Sequence, residues 1–145
     1  MSKRLPVIAQ TIVYRKDGGN FEVLLLKRTE ARGSFWNVVN GTLECDESIV
    51  ECRARELSEE AGIKDVLRWS DEINRFSFQY HESPFVVVVY AAEVPADQSV
   101  VLNEEHTEYR WVGFDEALQM MKFDDDKNGL QACQEMLAHQ KGENA

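Results

Sequence analysis

The chain has 145 residues, 43% hydrophobic and 10% aromatic, the make-up of one globular domain over 1–145 rather than of a disordered chain. Its net charge of −10 comes with no basic stripe, which argues against binding to a DNA or RNA duplex. No apolar run approaches the roughly 18 residues of a membrane helix, and "MSKRLPVIAQ" has no signal-peptide pattern, so a cytoplasmic protein without membrane contact is expected.

Residues 7–15 (VIAQTIVYR) and 21–28 (FEVLLLKR) are β-branched or aliphatic runs separated by KDGGN. They predict a hairpin in which Gly18 and Gly19 take the positive φ angles of the turn. "ARGSFWNVVNGTLECDES" reads as a short strand and loop. From Ser48 to Ala61 the pattern turns helical, with Val50, Ala54, Leu57 and Ala61 on one apolar stripe. Ser48 is the expected N-cap, Glu51 completes a capping box, and Gly62 is the expected stop. "DEINRFSFQY", "PFVVVVYAAEV" and "TEYRWVGF" read as strands, and "DEALQMM" as a short helix capped by Asp115. "DKNGLQACQEMLAHQ" is a C-terminal helix with Leu130, Cys133 and Leu137 at helical spacing. This order predicts a mixed sheet with helices packed on it, α/β or α+β. Cys45, Cys52 and Cys133 lack CxxC spacing and are expected to be reduced thiols.

Residues 41–63 hold seven acids (Glu44, Asp46, Glu47, Glu51, Glu56, Glu59, Glu60) against Arg53 and Arg55. At about 100° per residue, Glu59 and Glu60 flank Glu56 on a face separate from the apolar stripe. Like charges so placed repel by a few tenths of a kcal/mol per pair. Hard cations prefer carboxylate oxygens, and Mg²⁺ is commonly shared between carboxylates and substrate phosphates, where it can activate water for attack on phosphorus. Arg55 lies at i+4 from Glu59 and can hold part of that face, while Glu47 falls near the helix N-terminus.

Gly41, five residues, Glu47, seven residues, then RELSEEAGI (55–63) matches G-x5-E-x7-R-E-U-x-E-E-x-G-U, U being a bulky aliphatic residue. At all nine defined positions the segment resembles the Nudix box. The resemblance implies a Nudix fold, a mixed sheet between helices with the box as loop–helix–loop. It implies hydrolysis of a nucleoside diphosphate linked to another group, with Mg²⁺ as cofactor and Mn²⁺ as a substitute. By motif position Glu56, Glu59 and Glu60 are metal ligands, and Arg55 orients the carboxylates through Glu47. Carbonyls near Asn40 and Gly41 complete the metal shell. Asn40 and Asp46 replace glycines often seen in this loop, which makes the Asn40 carbonyl the weaker ligand. Gly41, Glu47 and Gly62 are the structural positions of the motif.

Outside the box, "FWNVVNGTLE", "VVVVYAAEVP", "LNEEHTEYRWVGFDEAL" and "FDDDKNGL" are similar to the dihydroneopterin triphosphate and dATP pyrophosphohydrolases. "EHTEYRW" is also similar to bis(5′-nucleosyl)-tetraphosphatases. In both groups the glutamate before the histidine supplies a further carboxylate, here Glu105, as base or extra ligand, with Glu104 as the weaker candidate. The catalytic set is therefore Glu56, Glu59, Glu105 and Arg55. Lys27 and Arg28 are candidates for neutralising a polyphosphate, and Phe35 and Trp36 for walling a base. Solvated cations at a sheet edge and core aromatics are the plain readings of those four. His106 is read as a structural hydrogen-bonding residue. The first expectation is a pyrophosphohydrolase on a nucleoside or pterin triphosphate. A dinucleoside tetraphosphate hydrolase comes second, and a non-catalytic nucleotide sensor, then an acidic interaction module, follow. The chain is expected to be a monomer or a homodimer.

Overall fold

The computed structural model describes residues 3–143. Strand β1 (Arg4–Asp17) turns through Gly18 and Gly19 into β2 (Asn20–Arg28). The two glycines have φ of 61° and 93°, both positive, as a two-residue type I′ hairpin requires. A 3-10 turn (Glu30–Arg32) leads to β3 (Trp36–Asn37), β4 (Val39–Glu44) and helix α1 (Ile49–Ala61). Then come β5 (Arg68–Trp69), β6 (Asn74–Tyr80), β7 (Ser83–Glu93), β8 (His106–Val112), α2 (Phe114–Met120) and α3 (Asp124–Glu143).

Strand β1 organises the sheet. It runs parallel to β7 from Val7 to Tyr14 on one edge. Its other edge is divided, antiparallel to β4 at Ile8–Thr11 and to β2 at Tyr14–Asp17. Beyond that point β2 continues away from β1, flanked by β8 and β3. The strands thus fork, with β1, β4, β6 and β7 on one side and β2, β3 and β8 on the other.

Both faces of the sheet are covered, which is why β2 and β7 read as nearly unbroken apolar runs. Ile12, Val23, Leu25, Val87 and Val89 lie in one cluster with Phe114 of α2 and Leu130, Cys133 and Leu137 of α3. Val13, Leu24, Leu26 and Val39 lie in the other with Leu57 and Ala61 of α1. A mixed sheet between helices is the predicted fold class. No described helix is long and apolar enough to cross a membrane.

Two local expectations are corrected. The apolar stripe of α1 was placed on Val50, Ala54, Leu57 and Ala61, but Val50 is 52% exposed and Ala54 is exposed too. The buried residues are Cys52, Leu57, Glu60 and Ala61, so the inward face takes in a carboxylate, while Val50 and Ala54, nearer the start of the helix, stay in solvent. The N-cap of α2 is Gly113 rather than Asp115, which sits inside the first turn. Burial of Phe114 starts the helix earlier, and the Gly113 carbonyl accepts from Ala117 N at 3.0 Å.

Candidate active site

Local chemistry fixes α1 at both ends. Ser48 Oγ accepts from Glu51 N at 3.1 Å and Glu51 Oε1 accepts from Ser48 N at 2.8 Å, the predicted capping box. Gly62 ends the helix at φ 67°, and its N–H donates to Ser58 O at 3.0 Å. The helix lies over the fork with Glu56 against β4. A Cβ on Gly41 would fall inside the Glu56 carboxyl group, so glycine is needed there for close approach.

Arg55 binds the carboxylates together. Its Nε and Nη2 donate to the two Glu47 oxygens at 2.9 and 2.7 Å, a bidentate fork. Nη1 donates to Glu56 Oε1 at 2.8 Å and Glu59 Oε2 at 3.2 Å, and Nη2 also reaches Thr42 O at 3.2 Å. Glu47 further accepts from Glu44 N at 3.0 Å. The hydrogen bonds from Arg55 hold the Glu47 carboxyl down to about 2. Burial pushes Glu56 above the usual carboxylate range, and burial beside Glu56 pushes Glu60 up to about 10. Glu59 stays on the solvent side, joined to the others through Arg55.

Across the fork stand Glu105 and His106, with Arg28 opposite His106 in the β2–β8 register. Burial, reinforced by Arg28, pulls His106 down to about 4. Glu105 is half-buried, with Oε1 3.6 Å from Arg32 Nη2. Its N–H donates to Asn103 Oδ1 at 3.1 Å and its carbonyl accepts from Thr29 N at 3.2 Å, which pins the turn.

The donor set fits a divalent cation. Ligand atoms of Glu60, Glu105 and His106 lie within 4.8 Å of one another. Glu60 Oε2 is buried without a hydrogen-bond partner among the described residues, a costly state for a carboxylate unless a ligand completes it. Carboxylates that must lose protons to work, crowded in a dry site, are what a cation would ionise and hold.

Beside this group a hollow of about 420 Å³ is walled by Ile8, Phe76, Phe78, Val87 and Phe123. Asn37, Asn40, Asp125 and Asp126 supply its polar lining, with Arg28 at its side. Gln10 Nε2 donates to Asn40 Oδ1 at 3.0 Å and to Asp126 Oδ1 at 2.9 Å, and Asn37 Nδ2 donates to Asp126 Oδ2 at 3.0 Å. Burial raises the Asp126 pKa. A second hollow of about 680 Å³ shares Ile8, Arg28, Phe78 and Phe123 and adds Phe35, Tyr80, Phe85 and Arg32.

Of the sequence candidates, Gly41, Glu47, Arg55, Glu56, Glu59 and Glu60 come together, and Glu105 faces Glu60. Arg28 and Phe35 line the hollows, with Phe35 edge-on to Phe123 at 5.3 Å between ring centres. Lys27 and Trp36 do not line them. Lys27 is 3.6 Å from Glu108, and Trp36 lies under the Arg110 guanidinium at 5.2 Å. The Asn40 side chain is spent on Gln10 and on Val38 O, to which it donates at 3.0 Å. Gly41, paired with Ala9 in the β1–β4 ladder, also has its carbonyl 3.8 Å from Cys52 Sγ. Gln10, Arg32, Asn37 and Asp126 went unnoticed in the sequence. The stretches "FWNVVNGTLE" and "FDDDKNGL" held two of them, but nothing in one sequence marks which acid turns inward.

The mixed sheet between helices and the loop–helix–loop with its carboxylate face are what the Nudix resemblance implies. The sequence matches the NUDIX domain family over residues 4–133, and the chain belongs to that family, whose hydrolases act on nucleotide phosphoanhydrides. It is 32% identical over 139 residues to the asymmetrical bis(5′-nucleosyl)-tetraphosphatase of Sus scrofa, covering 92% of each protein. It is 36% identical over 113 residues to an octanoyltransferase of Myxococcus xanthus, covering 77% of this chain but only 32% of that protein. The chain thus spans about a third of that relative's length. Among solved structures, a C. elegans Ap4A hydrolase binary complex superposes with a TM-score of 0.82 at 23% identity, covering 92% of this chain and 98% of that one. The E. coli dihydroneopterin triphosphate pyrophosphohydrolase gives 0.69 at 21%, covering 90% and 96%. At those identities both show the shared fold.

Proposed function

We propose that the chain is an asymmetrical dinucleoside tetraphosphate hydrolase, in which water splits diadenosine tetraphosphate to ATP and AMP with Mg²⁺, or Mn²⁺ in its place. The observation that carries this reading is the pair of aromatic-walled hollows joined at Arg28 and Phe78 beside the carboxylates. A nucleoside triphosphate has one base to place, whereas a dinucleoside polyphosphate has two. Identity to the pig tetraphosphatase over 92% of both chains supports the same choice.

In this reading Glu56, Glu59 and Glu60 hold the cations, with the Gly41 carbonyl completing the shell and that of Asn40 the weaker addition. A bound cation supplies Lewis acidity to the phosphate oxygens and to the attacking water. Arg55, locked by Glu47, keeps the carboxylates in position. Arg28 and Arg32 offset polyphosphate charge at the mouth of the hollows, and Glu105, half-buried beside them, is the further carboxylate of the site, as an extra ligand to the cation or as base for the attacking water. Lys27 and Trp36 take part only if the substrate extends past Phe35.

A substrate panel with Mg²⁺ tests this. ATP and AMP from diadenosine tetraphosphate, at a kcat/KM above that for any triphosphate, is the expected result. Pyrophosphate released faster from dATP or dihydroneopterin triphosphate would overturn the substrate class in favour of the pyrophosphohydrolase. Tight binding with no turnover of any compound would make the chain a sensor.

A further inference from the structure

We propose that His106 is a nitrogen ligand in the metal site, beside Glu60 and Glu105, and that it gives the site a preference for Mn²⁺ or Co²⁺ over Mg²⁺. The inference rests on the metal-dependent reading of this site but not on the choice of substrate. His106 opens β8, opposite Arg28, where the β2–β8 register shifts between Lys27 and Arg28. Its side chain is 1% exposed and that of Glu60 2%, so neither has water to turn to.

His106 Nε2 lies 3.8 Å from Glu60 Oε1. That is too long for a hydrogen bond. It is a natural spacing for two donors on one ion, each about 2.0–2.2 Å from it. A buried histidine kept for structure makes its hydrogen bonds to protein, yet His106 Nε2 only approaches Glu60 Oε1 at 3.8 Å and its Nδ1, on the other side of the ring, has no partner among the described residues; Glu60 Oε2 is likewise unpartnered. Glu105 brings a third ligand atom within 4.8 Å of the other two. Its 3.6 Å ion pair with the half-exposed Arg32 is loose enough to yield to a cation.

Chemistry then separates the metals. A set of carboxylates and carbonyls suits Mg²⁺, which favours oxygen and dehydrates reluctantly. One imidazole among them shifts the balance toward Mn²⁺ and, more strongly, Co²⁺, which accept nitrogen readily and rank in that order at a given site.

The full-length protein, stripped of metal and free of nucleotide, is loaded with Mn²⁺ and measured by pulsed EPR. Nitrogen-14 modulation from a directly bound imidazole is expected, and its absence overturns the proposal. The His106→Gln variant, with its metal-free melting curve compared with that of the parent, is titrated with Co²⁺ and Mg²⁺ separately. Co²⁺ affinity is expected to fall about tenfold or more, with a smaller change for Mg²⁺; equal losses for both metals would overturn the selectivity. Should the variant fail to fold, the parent spectrum alone decides. Neither measurement uses a substrate, so a failed substrate panel leaves this result standing, and the reverse.

Discussion

Arg55 donates to Glu47, Glu56 and Glu59 at once, so one guanidinium joins carboxylates that would otherwise repel one another. Because Glu47 is held at about 2 against its ordinary 4.5, its ionised form is favoured by folding. The stabilisation is fully present above pH 4.5 and is lost as pH falls from there toward 2. Urea midpoints measured at pH 6 and pH 3 should therefore drop less for Glu47→Gln than for the parent, from a lower starting value. Glu59, 55% exposed, carries little packing. Glu59→Gln should lower kcat by about two orders of magnitude or more while the melting temperature in metal-free buffer stays within a few degrees; near-full activity would remove Glu59 from the metal site. These residues were legible because the motif fixes them by spacing over one short stretch. Gln10, Asn37 and Asp126 were not, since they meet only after strands from one end of the chain and a helix from the other have packed.

At the scale of the element, α1 is the instructive case. Its ends were readable, because a capping box and a glycine stop are decided by neighbours in sequence. Its buried face was readable only in part: Leu57 and Ala61 of the apolar stripe are covered, but the search for such a stripe assumes that everything facing inward is apolar and that the stripe is covered along the whole helix. Here Glu60 faces inward at 1% exposure, while Val50, at nearly the same helical angle as Leu57 and Ala61, is left in solvent at the first turn of the helix. Two substitutions measure the error. Val50→Lys should change unfolding free energy by no more than about 0.5 kcal/mol, as for a surface site. Leu57→Ala should cost about 2–5 kcal/mol through the cavity it leaves between the helix and Leu24, Leu26 and Val39. Chemical denaturation of the two variants decides, and a large loss at Val50 would restore the original stripe.

Over the whole molecule, fold class was legible from the order of strand and helix patterns, while pairing was not. The run "FVVVVYAA" announces a strand covered on both faces, but nothing in it names β1 as a parallel partner. The packing also sorts the cysteines. Cys45 is exposed, whereas Cys52 and Cys133 are fully buried and burial pushes both thiols up to about 12. A thiol reagent should titrate one equivalent rapidly in native protein and three in denaturant; a second fast thiol would mean that the packing over Cys52 on α1 or the cluster around Cys133 opens readily. The divided edge of β1 bears, finally, on how the chain assembles in time. Its pairing with β2 closes across two glycines, but its pairing with β7 brings Val7 to Val86 and must wait for most of the chain. During synthesis the first hairpin therefore emerges with one flank unsatisfied, a template for any passing strand until residues 86–93 leave the ribosome. The strand that gathers the finished sheet is thus left half-paired, and in need of protection, while the protein is being made.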